Sequence, residues 1–215
     1  MRCPERGVFP AEYRVWCFFM AFDAIFVDRD GTINVEQSDY VKSLDEFELL
    51  PGAIEALVRL SDLGIPIIIV TNQSAIGRGL TSAARIDEIH AALTAQVLAA
   101  GGRLDAIYVC PHHPEARCSC RKPKPGMLLA AAARFGIQLR RSVLIGDSVT
   151  DLGVARAVGC TPIMVRTGLH AQEVAALAKE DLSVLLVNDL SDAVSWLLAN
   201  AEMSAHHPPD PADGV

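Results

Sequence analysis

The 215-residue chain has no stretch of about 18 uninterrupted apolar residues, the length a helical bilayer crossing needs; its longest core-like run is residues 65–70. It has no surplus of positive charge either. With 19 Lys and Arg against 26 Asp and Glu the net charge is -7, a field that repels polyphosphate backbones, so a sequence-independent grip on nucleic acid is not expected. A secretion signal is missing as well. Residues 15–22 are apolar, but Asp23 follows at once and no small-residue cleavage site is present. The expectation is a cytoplasmic protein with neither membrane nor nucleic-acid partners. Disorder is excluded in turn, because 51% of residues are hydrophobic and only 21% charged. The length allows one core, and no internal repeat or linker divides it.

A disulfide framework is also absent. Cys3 and Cys17 lie near the N-terminus, Cys160 stands alone, and Cys110, Cys118 and Cys120 crowd into eleven residues, which is a metal pattern in a reducing compartment. Cys110-x-His112 followed by Cys118-x-Cys120 supplies three thiolates and an imidazole. That is a closed tetrahedral set with no open position, so it predicts a structural zinc ion (Zn2+) in a short loop. Arg121 and Lys122 follow the last ligand directly, and losing the ion should misplace both. His90, His113 and His170 read as surface or packing residues, and Cys160 as a small buried hydrophobe.

Residues 1–20 read as an N-terminal extension and residues 204–215, with three prolines, as a disordered tail. Between them, residues 21–203 alternate short apolar runs with helical patterns. Strands are predicted at 24–27, 65–70, 106–109, 143–145, 162–165 and 184–187, apolar enough to be buried on both faces. Helices are predicted at 52–63, 82–100, 126–135, 149–158, 171–178 and 190–199, with Thr81 or Ser82 as a cap and Gly64, Gly101, Gly136 and Gly159 as left-handed stops. This order predicts an α/β fold, a doubly wound, Rossmann-like parallel sheet with helices on both faces and ligands at the carboxyl ends of the strands.

The chemistry-bearing residues fall at those ends. Asp28-Arg29-Asp30-Gly31-Thr32 closes the first strand, and carboxylates at i and i+2 can share a divalent cation while one attacks and the other shuttles a proton. Thr71-Asn72-Gln73-Ser74 closes the second, offering hydroxyl and backbone N–H donors to a phosphoryl oxygen. Gly146-Asp147-Ser148 closes the fourth, with Asp147 a third oxygen ligand, while Asp151 is either a further ligand or a charge favouring the helix dipole. Before the helix at 126–135, Arg121, Lys122 and Lys124 put cations into an otherwise acidic protein, suited to neutralising a transferring phosphoryl group. An acidic pair, a hydroxyl and a basic residue on successive strand ends are what phosphoryl transfer through an aspartyl intermediate requires.

Asp28-x-Asp30-Gly-Thr, Thr71-Asn72, Lys122 and Gly146-Asp147 resemble the four motifs of the haloacid dehalogenase superfamily of phosphatases. Cys110-Pro111-His112-His113-Pro114, the run from Cys118 through Pro123, and Pro125-Gly126-Met127-Leu128 further resemble the D-glycero-D-manno-heptose 1,7-bisphosphate 7-phosphatases, over residues 24–168. The resemblance implies a magnesium-dependent phosphatase with a minimal cap, removing the 7-phosphate in nucleotide-activated heptose biosynthesis for lipopolysaccharide core or related glycans. Asp28 would be the nucleophile and Asp30 the acid, then the base. Magnesium (Mg2+) would sit on Asp28, Asp147 and the backbone carbonyl of Asp30. Thr71 and Lys122 would hold phosphoryl oxygens, Arg121 would recognise substrate, and the loop bearing Glu36 and Tyr40 would touch the sugar. With no obvious exposed apolar repeat, the expectation is a monomer.

One position departs. Ser148 stands where the family often carries Lys or Arg, and Lys124 or a water is expected to take over that contact. A second enzyme reading is histidinol-phosphate phosphatase, which shares the catalytic unit and the zinc loop; His113-Pro114 and Pro-Gly-Met-Leu favour heptose. A third reading, an inactive zinc-stabilised binding module, has only Ser148 behind it.

Overall fold

The computed structural model describes residues 22–181 and 184–204, so the readings on residues 1–20 and on the tail lie outside the described residues except at Ser204, which ends a helix. Six parallel strands form its centre: β1 (Ala24–Val27), β2 (Ile67–Asn72), β3 (Ala106–Cys110), β4 (Ser142–Gly146), β5 (Thr161–Val165) and β6 (Leu185–Val187), in the order β3-β2-β1-β4-β5-β6. The order reverses between β1 and β4, and such a switch point opens a crevice at the strands' carboxyl ends. The two strands are paired in register there, Val27 beside Ile145, so the residues that follow each strand come out side by side.

The alternation of side chains along each strand divides the core into two layers. Ile25, Val27, Ile67, Ile69, Val143 and Ile145 face one helical layer, and Ala24, Phe26, Ile68, Val70 and Leu144 face the other. The first layer contains α1 (Ala53–Ser61), α3 (Ala83–Ala99) and α7 (Leu190–Ser204), which contribute Leu57 and Leu60, Leu93 and Val97, and Val194 and Leu197. The second contains α4 (Gly126–Phe135) and α5 (Val149–Val158), with Met127, Leu128, Val154 and Ala155. A four-residue α2 (Ser74–Gly77) and α6 (Ala171–Glu180) complete the set.

β1, α4 and α5 have the bounds predicted from the sequence, Ser82 caps α3 by accepting from the Arg85 N–H, and the four predicted stop glycines all have positive φ. Burial on both faces is corrected at the edges of the sheet: β6 and all of β3 except Cys110 are only half-buried, because each has a neighbour on one side alone. No large cap follows β1 or β2. A single 3-10 turn at Leu44–Glu46 interrupts the loop before α1, and the loop returns to the site through bridges from Asn34 to Asp30 and to Leu49.

Candidate active site

Three strand ends and the basic loop meet in one cleft of about 260 Å³ lined by Asp28, Asp30, Thr71, Asn72, Gln73, Ser74, Arg121, Lys122 and Asp147, with Glu36, Gln37, Tyr40, Ser148 and His170 at its outer wall. All of these but His170 come from the four segments marked out in the sequence, 28–40, 71–74, 121–122 and 147–148, which the fold brings together.

Lys122 is the hub. Its ammonium lies 2.8 Å from Asp28 Oδ1 and 2.6 Å from Asp151 Oδ1, and it donates to the Val70 carbonyl at 2.8 Å. Burial works against its charge, but the two carboxylates raise its pKa above the ordinary lysine value. Asn72 delivers it: the Asn72 amide donates to the Lys122 carbonyl at 3.2 Å and accepts from the Lys122 N–H at 3.0 Å. Asp151 sits where the second of its two readings put it, as a charge at the start of α5. It closes a capping box with Ser148 at the start of α5 and pairs with Lys122, fully buried.

Asp28, Asp147 and Asp151 present carboxylate oxygens all within 4.8 Å of one another, and among the described residues Lys122 is the one cation paired to them. Burial, then repulsion from Asp151, pushes the Asp28 carboxyl up to about 7, even though Lys122 pulls the other way. Asp147 is driven well above the carboxylate range by burial and by Asp28, Asp151 and Glu36. A crowded, all-oxygen, net negative donor set fits a hard divalent cation. Two glycines make the space: at Gly31, whose φ is +77°, a Cβ would come within 2.5 Å of Asp147 Oδ2, and at Gly168 it would run into the same carboxylate.

Asp30 stands apart from this cluster. Its Oδ1 accepts from Arg29 Nη2 at 2.7 Å and Asn34 Nδ2 at 2.9 Å, and its Oδ2 from Gln73 Nε2 at 2.7 Å and Arg29 Nη2 at 2.8 Å. Burial works upward, but Arg29 and these hydrogen bonds hold its pKa below the ordinary value. Only its backbone carbonyl is left for a metal. Gln73 is spent in the same network, also donating to Thr71 Oγ1 at 2.8 Å, so its amide has no N–H left for a phosphoryl oxygen, whereas Asn72, with one N–H on the Lys122 carbonyl, keeps a second. Thr71 accepts there and keeps its hydroxyl proton for the cleft.

The outer wall is tied down as well. Glu36 accepts from the Leu169 N–H at 2.8 Å, and Tyr40, at a positive φ of 72°, has the Arg78 guanidinium 5.7 Å from its ring centre. Lys124 does not enter the cleft. Its ammonium donates to the Cys118 carbonyl at 2.7 Å, which corrects its expected place beside Ser148 and leaves Arg121, whose buried Nη1 has no protein partner, facing the cleft.

In the neighbouring loop Cys110 Sγ lies 3.6 Å from Cys118 Sγ and 3.2 Å from Cys120 Sγ, with His112 Nδ1 at 3.6 and 3.2 Å from Cys110 and Cys120. These are too long for a disulfide and close to the ~3.7 Å edge of a tetrahedron with 2.3 Å metal–sulfur bonds. The four residues can hold a metal ion. Burial works upward on the Cys118 thiol, but the Arg121 backbone N–H and the hydrogen bonds from Cys120 and Cys110 bring it down to about 6, so one ligand is ready to ionise.

Comparison with known proteins now decides the family. The HAD-hydrolase-like family matches residues 119–193. The D-glycero-beta-D-manno-heptose-1,7-bisphosphate 7-phosphatase of Pseudomonas aeruginosa is 41% identical over 179 residues, 83% of this chain and 99% of the relative. That of Vibrio cholerae is 37% identical over 83% of this chain and 98% of its own. The chain belongs to the heptose-bisphosphate phosphatase family of HAD-like hydrolases. As a member of that family it is a phosphoric monoester hydrolase. The crystal structure of D,D-heptose 1,7-bisphosphate phosphatase from B. bronchiseptica, complexed with magnesium and phosphate, superposes with a TM-score of 0.78 at 36% identity, covering 83% of this chain and 99% of that one. Among the described residues no helix of this phosphatase is long and apolar enough to cross a membrane.

Three residues at the site carry no mark of it in the sequence: Arg29, His90 and His170. Arg29 was read only as the spacer between two aspartates, and His90, read as a packing residue, lies 3.2 Å from Arg29 Nη1. His170, read the same way, lines the cleft at the N-terminus of α6. A lone histidine inside a helical pattern carries no local mark of such a contact.

Proposed function

We propose that the protein hydrolyses the 7-phosphate of D-glycero-β-D-manno-heptose 1,7-bisphosphate through an aspartyl phosphate. The observation that carries this reading is the meeting of Asp28, Asp147 and Lys122 at the switch point of a chain whose relatives, matched nearly end to end, are named for that reaction. Those names also favour it over histidinol phosphate. The intact acidic pair, Asp28 and Asp30, both in the cleft, speaks against the third reading.

Asp28 Oδ1 accepts from the Arg29 N–H at 2.7 Å and pairs with Lys122, so Oδ2 is the oxygen left to attack phosphorus. As the Asp28–phosphorus bond forms, the bond to the sugar oxygen breaks and its electron pair leaves with that oxygen, which takes the proton that the ionised Asp30 has picked up from the substrate's phosphate monoanion on binding. Asp30 then removes a proton from water, whose oxygen attacks the aspartyl phosphate and releases phosphate with Asp28 restored. Lys122, the Thr71 hydroxyl and Ser74 hold the phosphoryl oxygens. Asp28, Asp147 and the Asp30 carbonyl would hold magnesium, which when bound supplies positive charge against both carboxylate and phosphoryl oxygens. The ion of the Cys110, His112, Cys118 and Cys120 cluster is zinc, structural, and holds Arg121 over the cleft. Phosphate release is the test: the heptose bisphosphate should exceed histidinol phosphate with magnesium and fall away without it. Faster cleavage of histidinol phosphate would move the substrate to the second reading, and turnover surviving in Asp28→Asn would remove the nucleophile.

A further inference from the structure

Arg29 heads the large side chains with no solvent exposure, and nothing in the reaction as derived uses it. A buried guanidinium is costly unless each N–H is met and its charge balanced. Here Nη2 donates to both Asp30 oxygens and to Gln73 Oε1 at 3.2 Å, Nε donates to Asp30 Oδ1 at 3.2 Å, and the Phe47 ring centre lies 5.9 Å from the guanidinium carbon. The remaining arm, Nη1, reaches His90 Nε2 at 3.2 Å. A guanidinium only donates, so Nε2 must accept, which fixes His90 as a neutral ring with its proton on Nδ1. His90 is buried on α3, 61 residues along the chain, so the long helix sets the plane of the guanidinium.

We propose that His90 and Arg29 are positioning residues for the proton transfer to the leaving group: His90 fixes the guanidinium, and the guanidinium aims the Asp30 carboxyl at the bridging oxygen of the bound phosphoester. A planar fork holding both carboxylate oxygens sets the plane of the carboxyl group, which a single hydrogen bond cannot. The Asp30 side chain is 22% exposed, so one edge still opens on the cleft. When Asp30 gives its proton to the departing alkoxide it becomes the carboxylate that Arg29 pairs with. The same pair then holds it while it takes a proton from the attacking water.

The inference rests on Asp30 being the acid and base, and the experiment separates the two. The kcat/KM values for the heptose bisphosphate, an alkyl ester with a poor leaving group, and for p-nitrophenyl phosphate, whose leaving group needs little protonation, are measured for wild type, Asp30→Asn, His90→Leu and His90→Gln. The alkyl-to-aryl ratio is the readout, because a misfolded fraction lowers both values equally. His90→Leu should lower the ratio by about tenfold or more, while His90→Gln, whose amide oxygen can still accept from Arg29, should stay within about threefold of wild type. The magnesium concentration for half-activation should not move in either. An unchanged ratio in His90→Leu beside a lowered one in Asp30→Asn overturns the positioning role alone, as does a Gln variant no better than Leu. An unchanged ratio in Asp30→Asn removes the acid role itself and the inference with it.

Discussion

Replacing Lys122 by Met puts the electrostatic reading of the site to its hardest test. The ammonium is 1% exposed and touches two buried carboxylates at 2.6 and 2.8 Å, so its loss leaves Asp28, Asp147 and Asp151 facing one another with no cation paired to them. Breaking a buried ion pair by removing one partner costs about 3–5 kcal/mol, since the abandoned charge stays out of water. For a chain of this size that corresponds to a fall of about 6–20 °C in Tm. The cost should depend on pH, because the abandoned carboxyls can take up protons. Asp28 already sits at about 7 in the wild type, above its unfolded value, and losing Lys122 drives it higher. One proton gained between pH 8 and pH 5.5 is worth up to about 3.4 kcal/mol, so most of the destabilisation at pH 8 should vanish at pH 5.5. Urea unfolding of metal-free protein at the two pH values measures it, while turnover should fall by about a hundredfold or more. A Lys122→Met protein as stable as wild type at pH 8 would mean that these carboxyls carry no charge in the native state, and the case for a divalent cation would fall with it.

The wild type without metal should show the same trend more weakly. The Asp28 pKa of about 7 lies above that of the unfolded chain, so the native state holds the extra proton; stability falls as pH rises from about 4 to 7, and magnesium should abolish the fall. Urea midpoints that rise with pH over that range in metal-free protein would refute this. Cys118→Ser should lower both Tm and bound zinc from about one per chain, read by thermal melting and elemental analysis; an unchanged Tm in zinc-free protein would show the loop to be held otherwise. Arg121→Ala should raise KM for the bisphosphate more than for a small monophosphate, by about 1.5–3 kcal/mol, because the ester under attack is gripped by Lys122 and the selectivity must come from the far end. Equal losses on both would place Arg121 on the transferred group.

Apolar runs bounded by turn residues made the central strands legible, and their limits show what apolarity cannot see. β2 was expected at 65–70 and runs Ile67–Asn72. Pro66 has no N–H for the ladder, and at the other end Thr71 and Asn72, polar as they are, continue the pairing to Val109 and Cys110. The ladder belongs to the backbone, so a pattern of side chains stops it too early. Metal-ligand spacing made the Cys/His cluster of the 110–120 loop legible for the opposite reason, since thiol and imidazole spacings are chemistry written along the chain. The uses of Asn72, Gln73 and Lys124 were not legible. Each has its polar end bound to a carbonyl, amide, hydroxyl or carboxylate that only the folded chain brings near, and composition alone places a cation by its charge, not by the nearest acceptor.

Ser148 shows how that local chemistry reshapes a site without emptying it. Its hydroxyl donates to Asp151 Oδ2 at 2.5 Å while Asp151 Oδ1 holds Lys122, so the residue that starts α5 also fixes the carboxylate that fixes the buried lysine. A basic side chain at this position, having donors only, could not accept from the Asp151 N–H as the Ser148 hydroxyl does to start the helix. Ser148, Val149 and Thr150 line the cleft as the first turn of α5, whose N-terminal end carries partial positive charge. A phosphoryl group bound there meets Lys122 and the helix end together. The cation that the sequence lacks after Asp147 is thus replaced in part by a backbone dipole, which brings no charged side chain into the cleft.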